Sequence, residues 1–201
     1  ARCSDYINQG KIFEKPYRLL FCSRMESNKG IYELLVAFAL VLRKHPKTKL
    51  TYMGDGSELK NLKSKIIEMN LSKNVRCIGR KIGTSKIREY QASDMFVFPT
   101  YHGEGFPNVY CEAMASGLPI ITTHKGGLKD VFEDCKQGLL LHGFPPRSRE
   151  IALRIIQLLE SPYLMNRIST NNFKESKKKY DVKVVCKRIE NIYKEVEAQH
   201  K

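Results

Sequence analysis

RLLFCSRMESNKGIYELLVAFALVLRKHPKTKLTYMGDG, residues 18–56, decides the architecture. Arg18 to Ser23 is a short continuous apolar run, the mark of a strand buried on both faces. A polar loop and Gly30 follow, and then Ile31, Leu34, Leu35, Phe38 and Leu42 repeat at helical spacing until Pro46 stops them. Leu50 to Met53 is a second apolar run, closing on Gly54-Asp55-Gly56. Strand, helix and strand in one stretch make a βαβ unit, and that connection joins parallel strands.

The alternation continues outward. Leu59, Leu62 and Ile66 mark a second helix, and Val75 to Ile78 a third strand. Ser85 to Ala92 reads as a short helix, Met95 to Phe98 as a strand stopped by Pro99, and Pro119 to Thr122 as another. Between these last two lies a helix expected to begin with Pro107 at its first position and to stop at Ser-Gly-Leu-Pro. Gly126-Gly127 is a turn, and Gly138 to Leu141 a last strand. After Pro145 the pattern is wholly helical: Ile151 to Leu159, Tyr163 to about Lys178, and a stripe of Val182, Val185, Ile189, Ile192 and Val196. The reading is an α/β chain with a Rossmann-like, doubly wound parallel sheet over residues 17–145. Residues 146–201 are its C-terminal helices, and residues 1–16 an N-terminal extension or linker.

The bulk numbers bound the function. The chain has 201 residues, enough for one domain with a helical tail. No apolar run approaches the roughly 20 residues that span a bilayer, and the opening ARCSDYINQGKIFEKPY is too polar for a secretory signal. A start at Ala1 rather than Met is expected of a piece of something longer. The six cysteines form no close pair, so free thiols are expected rather than disulfides or zinc. Lys and Arg number 35 against 21 Asp and Glu, a net +14 that attracts polyanions: nucleic acid, anionic lipid or phosphorylated ligands. Nothing in the sequence looks like a nucleic-acid motif, and there is no aromatic comb for stacking bases.

In an open parallel sheet, ligands sit beyond the carboxyl ends of the strands. The first such loop holds Arg24 and Lys29 ahead of a helix, two cations that suit a diphosphate or are simply solvated. Gly54-Asp55-Gly56 lacks the spacing of a dinucleotide or P-loop fingerprint. The loop after the fourth strand is sharper, placing Glu104 and Gly105 before the turn and Glu112 on the helix. A helical carboxylate can accept hydrogen bonds from two adjacent sugar hydroxyls, or merely pair with a lysine.

Glu104-Gly-Phe-Pro-Asn-Val-Tyr-Cys-Glu112-Ala-Met-Ala-Ser-Gly-Leu-Pro resembles the E-x7-E signature of retaining GT-B glycosyltransferases. The nearest group is family four, the "glycosyl transferases group 1" type. SRMESNKG, YMGDGSELKNLK, ASDMFVFPT and THKGGLKDVF resemble its other blocks, in order, so the resemblance covers about Tyr17 to Leu141. It implies half of a GT-B fold that binds a nucleotide-sugar, UDP- or GDP-linked, for retaining transfer to a glycan or lipid-linked acceptor. By this resemblance Glu104, Arg24 and Lys29 would be catalytic, the two cations neutralising the diphosphate and Glu104 meeting the donor sugar. Glu112 would hold the ribose, and Gly105, Phe106, Pro107, Asn108 and Val109 would line the sugar-phosphate site. Ile82, in the segment from Arg80 to Gly83, would lie near the base. No cofactor and no metal are implied. Lys129 stands where the family often has Pro before Asp130. An N-terminal GT-B domain is expected as the missing partner, with the last helix facing it. The expected location is cytoplasmic, with peripheral contact at an anionic inner membrane face, and no nucleic acid is expected as a partner.

Two rival readings use the same residues. A nucleotide-sugar epimerase or a phosphorylase shares the architecture, with His102 and His124 in suitable loops. A non-catalytic polyanion- or membrane-binding module would rest on the +14 charge and on the basic stretch from Lys174 to Arg188.

Overall fold

The computed structural model describes residues 2–6, 11–103 and 105–199. Six parallel strands are β1 (Arg18–Cys22), β2 (Lys49–Met53), β3 (Val75–Cys77), β4 (Met95–Phe98), β5 (Ile120–Thr123) and β6 (Gly138–Leu141). They lie in the order β3-β2-β1-β4-β5-β6. Leu19 is in register with Leu50 on one side and with Met95 on the other. The order therefore reverses between β1 and β4, the switch point where open sheets leave a crevice.

The helices are α1 (Ile31–Lys44), α2 (Leu59–Glu68), α3 (Gly83–Gln91), α4 (Asn108–Ala115), α5 (Ser148–Leu159), α6 (Pro162–Glu175) and α7 (Val182–Gln199). Among the described residues no helix is long and apolar enough to cross a membrane. β4, β5 and β6 are buried throughout, and β4 and β6 read as unbroken runs without polar side chains. The centre is aromatic: Phe21 packs edge-on against Phe98 at 5.6 Å, and Phe96 against Tyr110 at 6.2 Å. The polar tips inside are paired, Tyr52 donating to Ile31 O at 2.9 Å and Thr122 Oγ1 to Phe98 O at 2.8 Å.

Three expectations change. Pro107 is the residue before α4 and not its first: its ψ of 142° is extended, and the helix opens at Asn108. α3 begins two residues early, at Gly83. The helix expected to run to about Lys178 ends at Glu175 and widens into a π-turn, Ser176–Tyr180, where buried Ser176 turns its hydroxyl onto Phe173 O at 2.8 Å. The chain start is also informative. A 3-10 turn at Cys3–Asp5 buries Cys3 and Tyr6 in the core, and Cys3 N donates to Asp181 at 2.9 Å.

α4 is buried from Tyr110 to Ala115. Its end closes in a Schellman pattern, with Gly117 N donating to Met114 O and Leu118 N to Ala113 O, both at 2.9 Å.

All six cysteines are free thiols. Burial raises the thiols of Cys22, Cys77 and Cys111, the last from 9.0 to about 11. Burial also raises the phenols of Tyr52 and Tyr90, and with a hydrogen bond to Glu58 it pushes Tyr32 to about 12. The unfolded chain gives up these protons at lower pH than the folded one, so the folded state holds more protons above pH 9 and loses stability as pH rises. Lys11, held by burial down to about 8, acts in the opposite sense and is one group against several. The urea midpoint is therefore expected to fall between pH 7 and pH 10. An unchanged midpoint would contradict it.

Candidate functional site

The carboxyl ends of β1, β2 and β3 are laced together by backbone. Ser23 N donates to Met53 O at 3.2 Å, Met25 N to Asp55 O at 2.9 Å and Gly54 N to Gly79 O at 3.0 Å. Gly54 has φ 145°, and a Cβ there would stand 1.8 Å from Ser23 O. Only glycine lets the two loops touch. Across the switch point, the Asn28 carbonyl accepts from Tyr101 N at 3.0 Å, His102 N at 3.1 Å and Thr100 Oγ1 at 3.4 Å. Asn28 Nδ2 also lies 3.2 Å from His102 Nδ1.

Between these loops is a cleft of about 720 Å³, lined by Ser23, Arg24 and Gly54 and by Arg80, Lys81 and Lys86. The one carboxylate among its described lining residues, Asp55, accepts from Gly56 N on its own loop at 2.8 Å. Four cations thus face a glycine-walled opening, a setting that attracts an anion. A second cleft of about 400 Å³ shares Arg80, Lys81 and Lys86 and adds Ile82, Glu112 and Tyr6.

Glu112 lines the second cleft, and its partner Lys86 lines both. Glu112 projects from α4 and is 8% exposed. Its Oε1 pairs with Lys86 Nζ at 2.6 Å, while Oε2 is buried with no hydrogen-bond partner. An unsatisfied buried carboxylate oxygen is costly and marks a place where a donor is missing. Burial first, and then the Glu112 charge, pushes the Tyr6 phenol up; at Tyr90 burial comes first, then Cys22 and then Glu112. Neither completes a hydrogen bond to Oε2.

The other residues singled out by sequence fall as follows. Arg24 is exposed on the rim, 3.0 Å from Glu26. Lys29 is buried at 4% exposure, at the end of the 3-10 turn Ser27–Lys29. Ile82 is exposed. Gly105 and Asn108 are exposed, and Pro107 and Val109 half-buried. Phe106 stacks on Tyr110 at 5.9 Å and meets Tyr180 at 5.1 Å, fixing the loop to the turn before α7. Glu104 lies outside the described residues. His102 and His124 are exposed on neighbouring loops. Lys86, which joins both clefts to Glu112, has no signal of its own in the sequence.

A Rossmann-like sheet carrying a cationic crevice and a buried helical carboxylate at its switch point defines one half of a GT-B fold. The sequence profile of the glycosyl transferases group 1 family matches residues 4–175, and the chain belongs to that family. It is 28% identical over 194 residues to the capsular polysaccharide biosynthesis glycosyltransferase CapM of Staphylococcus aureus, covering 93% of this chain and 50% of CapM. It is 33% identical over 126 residues to alpha-monoglucosyldiacylglycerol synthase of Streptococcus pneumoniae, 62% of this chain and 28% of that one. The chain thus spans about half the length, or less, of the curated relatives it matches. Among solved structures, HepE of Anabaena in complex with UDP-glucose superposes with TM-score 0.80 at 23% identity, over 90% of this chain and 49% of HepE. The C-terminal domain of the group 1 protein LpcC from Francisella tularensis gives 0.74 at 27%, over 90% of this chain and 94% of that one.

Proposed function

We propose that this chain is the donor-binding half of a retaining glycosyltransferase that takes a nucleoside-diphosphate sugar and works without a metal. The observation that carries the reading is Glu112: a buried carboxylate with one oxygen lacking a donor, at the edge of a cleft ringed by cations. Two ribose hydroxyls supply the missing donors, and Arg24, with Lys29 behind it, meets the diphosphate. Charge builds on that diphosphate as the sugar leaves through an oxocarbenium-like state, so fixed cations lower the barrier most there. Glu104 meets the donor sugar, and Gly105 to Val109 line the sugar-phosphate side. Ile82 packs by the base.

The acceptor, a glycan or lipid-linked saccharide, is held mainly by a second, N-terminal domain of a longer protein. Support comes from the share of the relatives left uncovered and from α7, which has no buried residue while Val185, Ile189 and Ile192 are 37%, 47% and 58% exposed. The basic stretch Lys174 to Arg188 suits the anionic inner face of a membrane, where such an acceptor would sit.

Thermal unfolding with UDP, GDP, ADP and their sugars tests the reading. A cognate nucleotide at about 100 times its Kd should add about 2.7 kcal/mol, a rise of roughly 5–10 °C for a domain of this size. Glu112→Ala and Arg24→Ala should each abolish most of that rise. A rise that persists in Glu112→Ala would place the ribose elsewhere.

A further inference from the structure

Lys86 comes from α3 and Glu112 from α4, and their ion pair ties a cation that lines both clefts to a carboxylate that lines the second. Lys86 is partly exposed and touches both clefts, and its ammonium is committed to Oε1 at 2.6 Å. We infer that Lys86 is a positioning residue for ribose recognition: by holding Oε1 it presents Oε2 of Glu112 to the hydroxyls of a bound nucleotide. The inference rests on the donor-site reading of Glu112 given above.

The argument has three parts. First, a helical glutamate has three side-chain torsions, and an anchor on one oxygen removes most of that freedom before any ligand arrives. Second, the neighbours offer no anchor that would leave Oε2 presented to the cleft. Tyr6 lines the second cleft with Glu112, Tyr90 is buried with its own hydroxyl unpartnered, and Arg80 and Lys81 face the cleft. Released from Lys86, the carboxylate would turn toward the Tyr90 hydroxyl and satisfy Oε2 internally. Third, the phosphate side already has Arg24, Arg80 and Lys81, so a cation engaged with a carboxylate is not needed there. An ammonium also has three donors, and two remain after Oε1 is bound.

The test is equilibrium binding by the intact chain of UDP against 2′-deoxy-UDP, and of GDP against 2′-deoxy-GDP. Wild type should prefer the ribose form of its cognate nucleotide by roughly tenfold or more, as expected for a hydrogen bond to a charged group. Lys86→Met should collapse that preference to below about threefold, the size of a weak neutral contact, with the ribose form weakened far more than the 2′-deoxy form. Lys86→Arg should restore most of it. A preference unchanged in Lys86→Met overturns the inference. Tighter binding by Lys86→Met also overturns it, because Lys86 would then be a competitor for Glu112. Equal weakening of both forms would make Lys86 a phosphate contact instead. If wild type binds neither pair, or if Glu112→Gln keeps the ribose preference, the donor-site reading itself fails. Should Lys86→Met not fold, Lys86→Gln reads the same ratio.

Discussion

Gly54→Ala is expected to destabilise the fold by about 3 kcal/mol or more, from roughly 1–3 kcal/mol each of left-side backbone strain and overpacking. The added Cβ would stand 1.8 Å from Ser23 O and 2.9 Å from Ser23 C, at a φ of 145°. Both atoms are backbone, so no rotamer change relieves the contact. The loops after β1 and β2 must part, and Ser23, Arg24 and Gly54 all line the same cleft. Nucleotide binding should therefore fall with stability. Gly79→Ala is the control: its φ is 68°, but nothing lies within 4 Å of the new methyl. It carries strain without a clash and should cost about 1 kcal/mol. Chemical denaturation of both variants decides the matter, and equal losses would remove the close approach as the cause.

Asn172→Asp is the second large effect. Asn172 is fully buried on α6, and its Nδ2 donates to Leu118 O at 2.8 Å and Gln137 O at 2.7 Å. One amide thereby ties the C-terminal helices to the strand entrances of β5 and β6. Asn172→Ala deprives buried carbonyls of a donor, at about 1–3 kcal/mol for an unsatisfied group, with a small cavity besides. Asn172→Asp does more, since it sets a carboxylate against two carbonyl oxygens in the interior. It should lose about 3 kcal/mol or more, and clearly exceed the alanine variant. If aspartate proves no worse than alanine, the amide donor is not what holds these elements.

Much of this was legible in the sequence because its cause was local. Buried parallel strands must be apolar on both faces, so β1 and β4 could be read from the runs LLFC and FVF, while the edge strand β3 keeps Arg76 exposed. Glu112 could be read because its helix follows a Gly-Phe-Pro turn and stops at Ser-Gly. What could not be read depends on distant partners. Cys3 and Tyr6 lie in a polar opening stretch, yet they are buried because α4 and the π-turn supply a surface for them. Lys86 and Glu112 are 26 positions apart, and only the packing of α3 on α4 brings them to 2.6 Å. Asn172 looks like an ordinary polar residue on an amphipathic helix until the carbonyls of Leu118 and Gln137 are seen beneath it. Pro107 illustrates a third limit. Its fixed φ suits either the first helical position or the one before, and ψ alone decides.

The Asn28 carbonyl, with its three donors from Thr100, Tyr101 and His102, welds the loop after β1 to the loop after β4. The two banks of the crevice are therefore held to each other by hydrogen bonds within the chain. The disorder lost in bringing cations and helix mouth together is settled when the chain folds, before any ligand appears. An arriving anion meets finished walls, and its rate of capture is governed by diffusion and by the field of a +14 chain.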